Sequence, residues 1–244
     1  MAISILPIRR NLKFNLNPAK ALTWHRDGLN VSQFMNTMSL FFPVGERFFI
    51  DSVRNYRDQI TDPELKKAVT AFIGQEAMHG REHEEYNDFV AQAGIPLHAQ
   101  EAFVARLLKA VQDYSPQSFQ LAATVCLEHY TAIIAEQLLR ESEHQAKILD
   151  EATAKLWLWH ALEENEHKTV AYDVYEKVSG SYAIRAGAMI PTTVIFFAVL
   201  AVFQARMLAS DGRLLQLKNN WQGMKFLFGR KGLFTKLAPQ YLDF

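Results

Sequence analysis

Residues 72–83 read FIGQEAMHGREH, and residues 157–175 read WLWHALEENEHKTVAYDVY. Each phrase holds a glutamate and a histidine three positions apart, Glu76 with His79 and Glu164 with His167. On a helix, residues at that spacing project from one face, one turn apart. Helical signals dominate the chain around them, and no run of alternating apolar and polar residues is apparent. The chain therefore reads as all-α.

Working outward, start and stop signals delimit four long helices. The first spans about 31–59, kinked or started afresh near Pro43, because proline cannot donate to the preceding turn. Asp62 as N-cap, with Pro63 in the first turn, opens a second helix. It runs to about 93 and stops at Gly94, with Pro96 beyond. A shorter helix covers about 99–112. Ser115 and Pro116 start the third long helix, which ends near 143. The fourth runs over about 147–178 and stops at Ser179-Gly180.

Two lone glutamates complete a pattern. Glu46 lies on the first long helix and Glu128 on the third, before and between the two Glu-x-x-His pairs. Two such pairs on facing helices, with one glutamate from each of two others, form the ligand set of a two-metal carboxylate bundle. The widest gap, from Glu76 to Glu128, is 52 positions and contains the short helix. A ferritin-like four-helix bundle needs one long crossover between its second and third helices, so spacing and ligand list agree. Carboxylates and imidazoles suit iron or manganese while leaving positions open. The expected cofactor is two Fe ions, with Mn as the substitute.

Glu141-Ser-Glu-His144 has the same spacing, but its surroundings, RESEHQAK, are polar and suit a surface turn. His160 lies four residues before Glu164, and His83 four after His79, so each shares a helix face with its neighbour. Either fits as seventh ligand, proton carrier or outer partner. His129 points at right angles to Glu128 and reads as structural. Thr131, one turn after Glu128, is placed to order a bound water or oxygen species. Ala132 and Ala135 leave room on the Glu128 stripe. Phe42, Phe49, Phe72, Trp159 and Tyr172 read mostly as core.

At this point a resemblance is visible. FFPVGERFF (41–49), QEAMHGREH (75–83), LEHYTA (127–132) and WHALEENEHKTVAYDVY (159–175) resemble a bacterial family described as predicted metal-dependent hydrolases, of the ferritin-like group. The extra His160 before the last pair resembles the arylamine N-oxygenases, which are ferritin-like di-iron enzymes. The pattern assigns Glu46, Glu76, His79, Glu128, Glu164 and His167 as metal ligands, and this resemblance adds His160; His83, as ligand or outer partner, and Thr131 are the assisting residues expected beside them.

Beyond Gly180 the character changes. Residues 186–205, AGAMIPTTVIFFAVLAVFQA, carry no charge and are bracketed by Arg185 and Arg206. Twenty such positions are long enough to cross a bilayer, although Pro191, Thr192, Thr193 and Gln204 interrupt them. Membrane contact and burial against protein both remain open on this pattern. From Arg206 onward there are seven Lys/Arg against two Asp, while the whole chain has formal net charge zero. The segment 217–236, LKNNWQGMKFLFGRKGLFTK, mixes cations with aromatics in a way that suits lipid headgroups.

Three regions follow: an N-terminal extension (1–30), the bundle (31–180), and an apolar helix with a basic, aromatic tail (181–244). Cys126 is the lone cysteine and suits a reducing compartment. The start shows no long apolar stretch after basic residues, so no cleaved signal peptide is expected. The expected location is cytoplasmic, with peripheral or anchored contact at the inner membrane. Zero net charge gives no reason to expect nucleic acid. The favoured activity is a di-iron oxygenase or oxidase acting on an apolar, lipid-like substrate with an unnamed electron donor. The alternative is a two-metal hydrolase using a metal-bound hydroxide. A homodimer is left open, and iron storage is disfavoured because the apolar segment has no place on a soluble cage.

Overall fold

The computed structural model describes residues 6–242 and 244. Eleven α-helices occur among them: α1 (Leu29–Ser39), α2 (Phe42–Arg54), α3 (Pro63–Gln92), α4 (Leu97–Tyr114), α5 (Gln117–Arg140), α6 (Ser142–Gln145), α7 (Glu151–His167), α8 (Val170–Val178), α9 (Tyr182–Ser210), α10 (Leu217–Phe228) and α11 (Leu233–Tyr241). No strand occurs among the described residues; an isolated bridge joins His25 to Ile148. The all-α expectation holds.

Local chemistry explains most boundaries. Asp62 caps α3, its Oδ1 accepting from the backbone N–H of Glu64 at 2.9 Å, and Pro63 occupies the first turn. Asp150 caps α7 through the N–H of Thr153 at 2.9 Å. Gly94, at φ +89°, supplies the left-handed residue after α3 that any side chain would strain. The first expected helix is two helices. α1 stops at Ser39 and α2 restarts at Phe42, with Pro43 in its first turn where the missing N–H has no ladder partner to lose. The last expected helix is also divided, with α7 ending at His167 and α8 beginning at Val170.

Helices α2, α3, α5 and α7 pack in a ring, α2 on α3 and α5, and α7 on α5 and α3. α8 continues the α7 side against α3 and α5, and α4 crosses between α3 and α5 while resting on α2. The apolar helix α9 lies along α5 and α1; α10 packs on α1, and α11 on α5 and α10.

Two apolar clusters fill the interior. One contains Phe48, Val53, Val69, Phe72, Leu121 and Tyr175; the other contains Trp24, Phe42, Tyr86, Ile133, Leu156 and Trp157. The boundary between them falls at a matching place on every helix of the ring. On α3 it lies between Phe72 and Tyr86, and across α7 and α8 it lies between Trp157 and Val170. The polar site residues sit in that gap.

The packing sets a direct expectation. Leu156 is fully buried on α7, whereas Leu162 on the same helix is exposed. Leu156→Ala should cost about 2–5 kcal/mol, a fall of roughly 5–15 °C in melting temperature for a chain of this size. Leu162→Ala should stay within about 0.5 kcal/mol of the parent. Thermal melts of the two variants check this.

Candidate metal centre

Each of the four ring helices delivers side chains into the gap between the apolar clusters. α2 brings Glu46, α3 brings Glu76, His79 and His83, α5 brings Glu128, and α7 brings His160, Glu164 and His167; all are buried. The donor atoms form overlapping triads: Glu46 with His79 and His160, Glu76 with Glu128 and His167, and Glu76 with His79 and Glu164. Within each triad all three donors lie within 4.8 Å of one another. The structure thus brings together all seven residues expected from the sequence as ligands.

The donors face one another without satisfying one another. His167 Nε2 lies 3.0 Å from Glu76 Oε1 and 3.5 Å from Glu128 Oε2, and His160 Nε2 lies 3.1 Å from Glu164 Oε1. Even so, both carboxylate oxygens of Glu46, Glu76 and Glu128 lack a hydrogen-bond partner of proper geometry. So do Glu164 Oε2, His160 Nε2, His167 Nε2 and both ring nitrogens of His79. Buried polar atoms are nearly always hydrogen-bonded, so a convergent group left this way points to a missing cation.

The electrostatics agree. Burial first, then the charges of the neighbouring carboxylates, pushes Glu46 well above the ordinary range. Burial likewise raises Glu76 and Glu128. Burial also acts on Glu164, but the imidazoles of His167 and His160 hold it well below the usual value. His167 is the counterpart: burial opposes its charge, and Glu76, Glu128 and Glu164 raise it. His79 is pushed well down by burial and then by His160.

Outer partners orient the three imidazoles, and their arrangement is reciprocal. Gln75 precedes the first Glu-x-x-His pair, and its Oε1 lies 2.9 Å from Nδ1 of His167, the histidine of the second pair. Glu163 precedes the second pair, and its Oε2 lies 3.3 Å from Nε2 of His79, the histidine of the first. Gln75 is hydrogen-bonded to its ring, whereas Glu163 approaches His79 Nε2 without hydrogen-bond geometry; both contacts lie opposite the nitrogen that faces the carboxylate cluster, where carboxylate and amide partners of metal-bound histidine stand. Glu163 is held in turn by Trp159 Nε1 at 2.8 Å and Arg10 Nη1 at 3.2 Å. Arg10 also bridges to Glu166, which accepts from Gln75 Nε2 at 2.9 Å. The stretch before α1 thereby straps both outer partners.

Other sequence expectations fare differently. His83 is one layer out, with Nε2 at 2.8 Å from His160 Nδ1 and Nδ1 at 2.8 Å from Ser39 Oγ. Ser39 donates onward to Asn87 Oδ1 at 2.8 Å. Thr131 Oγ1 donates to the backbone carbonyl of Glu128 at 3.1 Å. Ala135 lines a cavity beside His160 and Glu164, but Ala132 faces an outer groove with His129. Phe42, Phe49, Phe72 and Trp159 are buried, while Tyr172 is only half-buried and lies under the Arg185 guanidinium. Glu141 pairs with Lys236, and His144, on the short α6, belongs to none of the donor triads, although it lines the cavity that reaches His160 and Glu164.

Two apolar cavities adjoin the centre. One, about 140 Å³, is walled by α2, α4, α5 and α9 and reaches Glu46. The other, about 60 Å³, reaches His160 and Glu164. Met38, Phe42, Thr131 and Ile134 line both.

A family model described as predicted metal-dependent hydrolase matches residues 8–244. The chain belongs to this family. No curated protein matches it, and no solved structure does. The description predicted metal-dependent hydrolase implies a metal-dependent enzyme, and the buried His/Glu groups suit a metal cofactor.

Sequence reasoning missed Gln75, Glu163 and Arg10. A signal for the first two was present: QEAMH and EENEH share a polar residue immediately before each Glu-x-x-His. Arg10 left no local signal, because its partners lie more than 150 positions away.

A pH-dependent outcome follows from Glu46. Its carboxyl ionises at higher pH in the folded chain than in the unfolded one, so the folded state keeps a proton that the unfolded state has lost. Metal-free protein should therefore lose stability as pH rises above the ordinary glutamate range. Glu46→Gln removes the share of that dependence due to Glu46, while Glu76 and Glu128 keep theirs. Chelator-treated Glu46→Gln should exceed the parent by about 1 kcal/mol or more at pH 8, with the difference shrinking toward pH 5 in denaturant titrations.

Proposed function

We propose that the chain is a two-metal enzyme acting on an apolar substrate, with Glu46, Glu76, His79, Glu128, His160, Glu164 and His167 as ligands. The observation that supports it is the set of convergent, buried donor atoms without hydrogen-bond partners. Four carboxylates also neutralise two divalent ions, which relieves the repulsion that raises Glu46 and Glu128. The arrangement on the ring helices, with α4 in the crossover, supports the ferritin-like reading of the bundle.

Of the two reactions, we favour oxidation with dioxygen on the geometry of the site. Seven protein donors leave two ions few open positions, and the adjoining cavities are almost wholly apolar. Such cavities admit dioxygen and an apolar substrate far more readily than water or a charged product. A bound pair of redox-active ions, iron first and manganese second, would supply electrons to dioxygen, with an external donor restoring them. The residues do the rest. Phe42, Met38 and Ile134 exclude water, and Thr131 stands where the two cavities meet. His83 holds His160 Nδ1 and is itself held by Ser39, a chain that offers a route for a proton away from the centre.

Hydrolysis is the second reading, and the family description favours it over the first. An activated water would then be the nucleophile. Anaerobic reconstitution with Fe(II), followed by oxygen-uptake measurement, separates the two from ester hydrolysis under argon. Oxygen uptake with no ester cleavage supports oxidation; cleavage with any redox-inert divalent ion supports hydrolysis.

Metal analysis should return two ions per chain. Glu128→Ala should lose at least one of them, whereas Glu141→Ala should keep both. Glu163→Gln should weaken affinity roughly 10–100-fold through the His79 ring. Uptake should release protons, because burial keeps Glu46, Glu76 and Glu128 protonated above their ordinary range and ligation requires the carboxylate. Affinity measured by competition with a chelator dye should therefore rise with pH.

A further inference from the structure

Helix α10 carries an apolar stripe on the face turned away from the protein. Leu217, Trp221, Met224 and Phe228 follow one helical face, and they are 82%, 70%, 51% and 56% exposed. The opposite side does the packing: Gly223 is buried, and a Cβ there would stand 3.0 Å from Asn30 Cβ. Asn30 also donates to Asn220 Oδ1 at 2.6 Å. α10 is therefore fixed to the protein by Asn220, Gly223, Phe226 and Leu227, with Phe226 against Phe34 of α1, and its stripe of Leu217, Trp221, Met224 and Phe228 is turned outward.

A second outward stripe lies beside it. On α9, Ile190, Val194, Ala198, Val202 and Ala205 are exposed at helical spacing, while Ala188, Leu200, Phe203 and Met207 are buried. Ala201 and Ala205 of α9 line one shallow groove together with Met224 and Phe228 of α10. The two stripes border the same surface. α9 cannot be a free spanning helix, because Gln204 binds Thr37 and Asn30 of α1 at 2.8 and 3.2 Å.

Charge decides what meets that surface. Residues 212–242 contain six Lys/Arg and no Asp or Glu. Arg213 and Lys236 pair with Asp211 and Glu141. Lys218, Lys225, Arg230 and Lys231 are exposed and have no ion-pair partner among the described residues. A two-fold contact with a second copy would set the same positive patch against itself. A layer of anionic lipid headgroups over acyl chains complements both the cations and the apolar stripes.

We propose that α9 and α10 dock the protein on an anionic lipid bilayer, lying in its interface without crossing it. Trp221 enters the acyl boundary, with Lys218 and Lys225 against the headgroups. The proposal is independent of the metal reading, since docking needs no turnover.

The probe is vesicles of phosphatidylcholine with and without one-quarter phosphatidylglycerol. Trp221 is the exposed tryptophan, whereas Trp24, Trp157 and Trp159 are buried, so a blue shift on mixing reports its environment. Wild-type protein should co-sediment with the anionic vesicles, shift its emission, and bind at least tenfold less at 0.5 M salt. Trp221→Glu should lose at least tenfold in binding while keeping the helical circular dichroism of the parent. Lys218→Glu/Lys225→Glu provides a second variant, with the stripe intact, that should lose affinity for anionic vesicles only. Wild-type protein left in the supernatant with anionic vesicles overturns the proposal. So does unchanged binding by Trp221→Glu, or a dimer that Trp221→Glu converts to monomer without any vesicle binding by the parent. Metal content, measured on the same samples, bears on the enzyme reading alone.

Discussion

Four carboxylates and three imidazoles, buried together with most of their convergent oxygens and nitrogens lacking a hydrogen-bond partner, are the constraint on which this fold depends. An uncompensated buried charge costs several kcal/mol, and several of one sign cost more. No isolated helix bundle would accept that arrangement for stability. The two apolar clusters on either side make it tolerable, because each ring helix is anchored by core residues above and below the polar gap. The bundle works as a clamp, with packing energy holding mutually repelling groups at a common point. Preorganisation of this kind is what a site needs if its ligands are not to rearrange for each binding event.

The reciprocal outer partners show how the clamp is made symmetrical. Gln75 sits on α3 and orients a ring on α7; Glu163 sits on α7 and orients a ring on α3. Each helix therefore fixes the other's histidine, and sliding one past the other would break both contacts. Arg10 closes the loop by joining Glu163 to Glu166, which also holds Gln75. A segment outside the bundle thus controls two ring orientations inside it. It is also the least supported part of the assembly, since Ile8 and Leu12 beside it are exposed.

Much of this was legible because helical spacing is a local rule. Glu76 with His79 and Glu164 with His167 need only one turn of helix to be read, and Glu46 and Glu128 need only their order along the chain. His83 was harder. It shares a face with His79 and is equally buried, but α1 brings Ser39 to within 2.8 Å of its Nδ1 and fixes it outside the donor set. No spacing rule reports what another helix brings. The restart of the first helix near Pro43 was legible, but the break at 168–169 was hidden for a related reason. Nothing in Lys168-Thr169 breaks a helix. Arg10 lies at the limit of this logic: a single arginine in an unpatterned segment becomes structural through residues at the other end of the bundle.

Helix α9 shows why composition alone left two readings open. Its mean hydropathy qualifies it as a membrane span, and only 22% of its most apolar window is buried. Three demands on one helix produce that composition. One face packs on α5 and α1, a second walls the larger cavity through Thr192, Ile195 and Val199, and a third is turned outward. Ile195 belongs to two of them, lining the cavity while nearly half exposed. A charge on any of the three faces would disturb the core, wet the cavity or weaken the outer stripe, and the polar residues present, such as Thr193 and Gln204, are uncharged and hydrogen-bonded. The hydropathy of α9 is therefore the signature of a helix with little room for charge on any side. On the proposed reading, those three faces meet a protein core, a substrate chamber and a lipid surface, and Ile195 borders both of the last two.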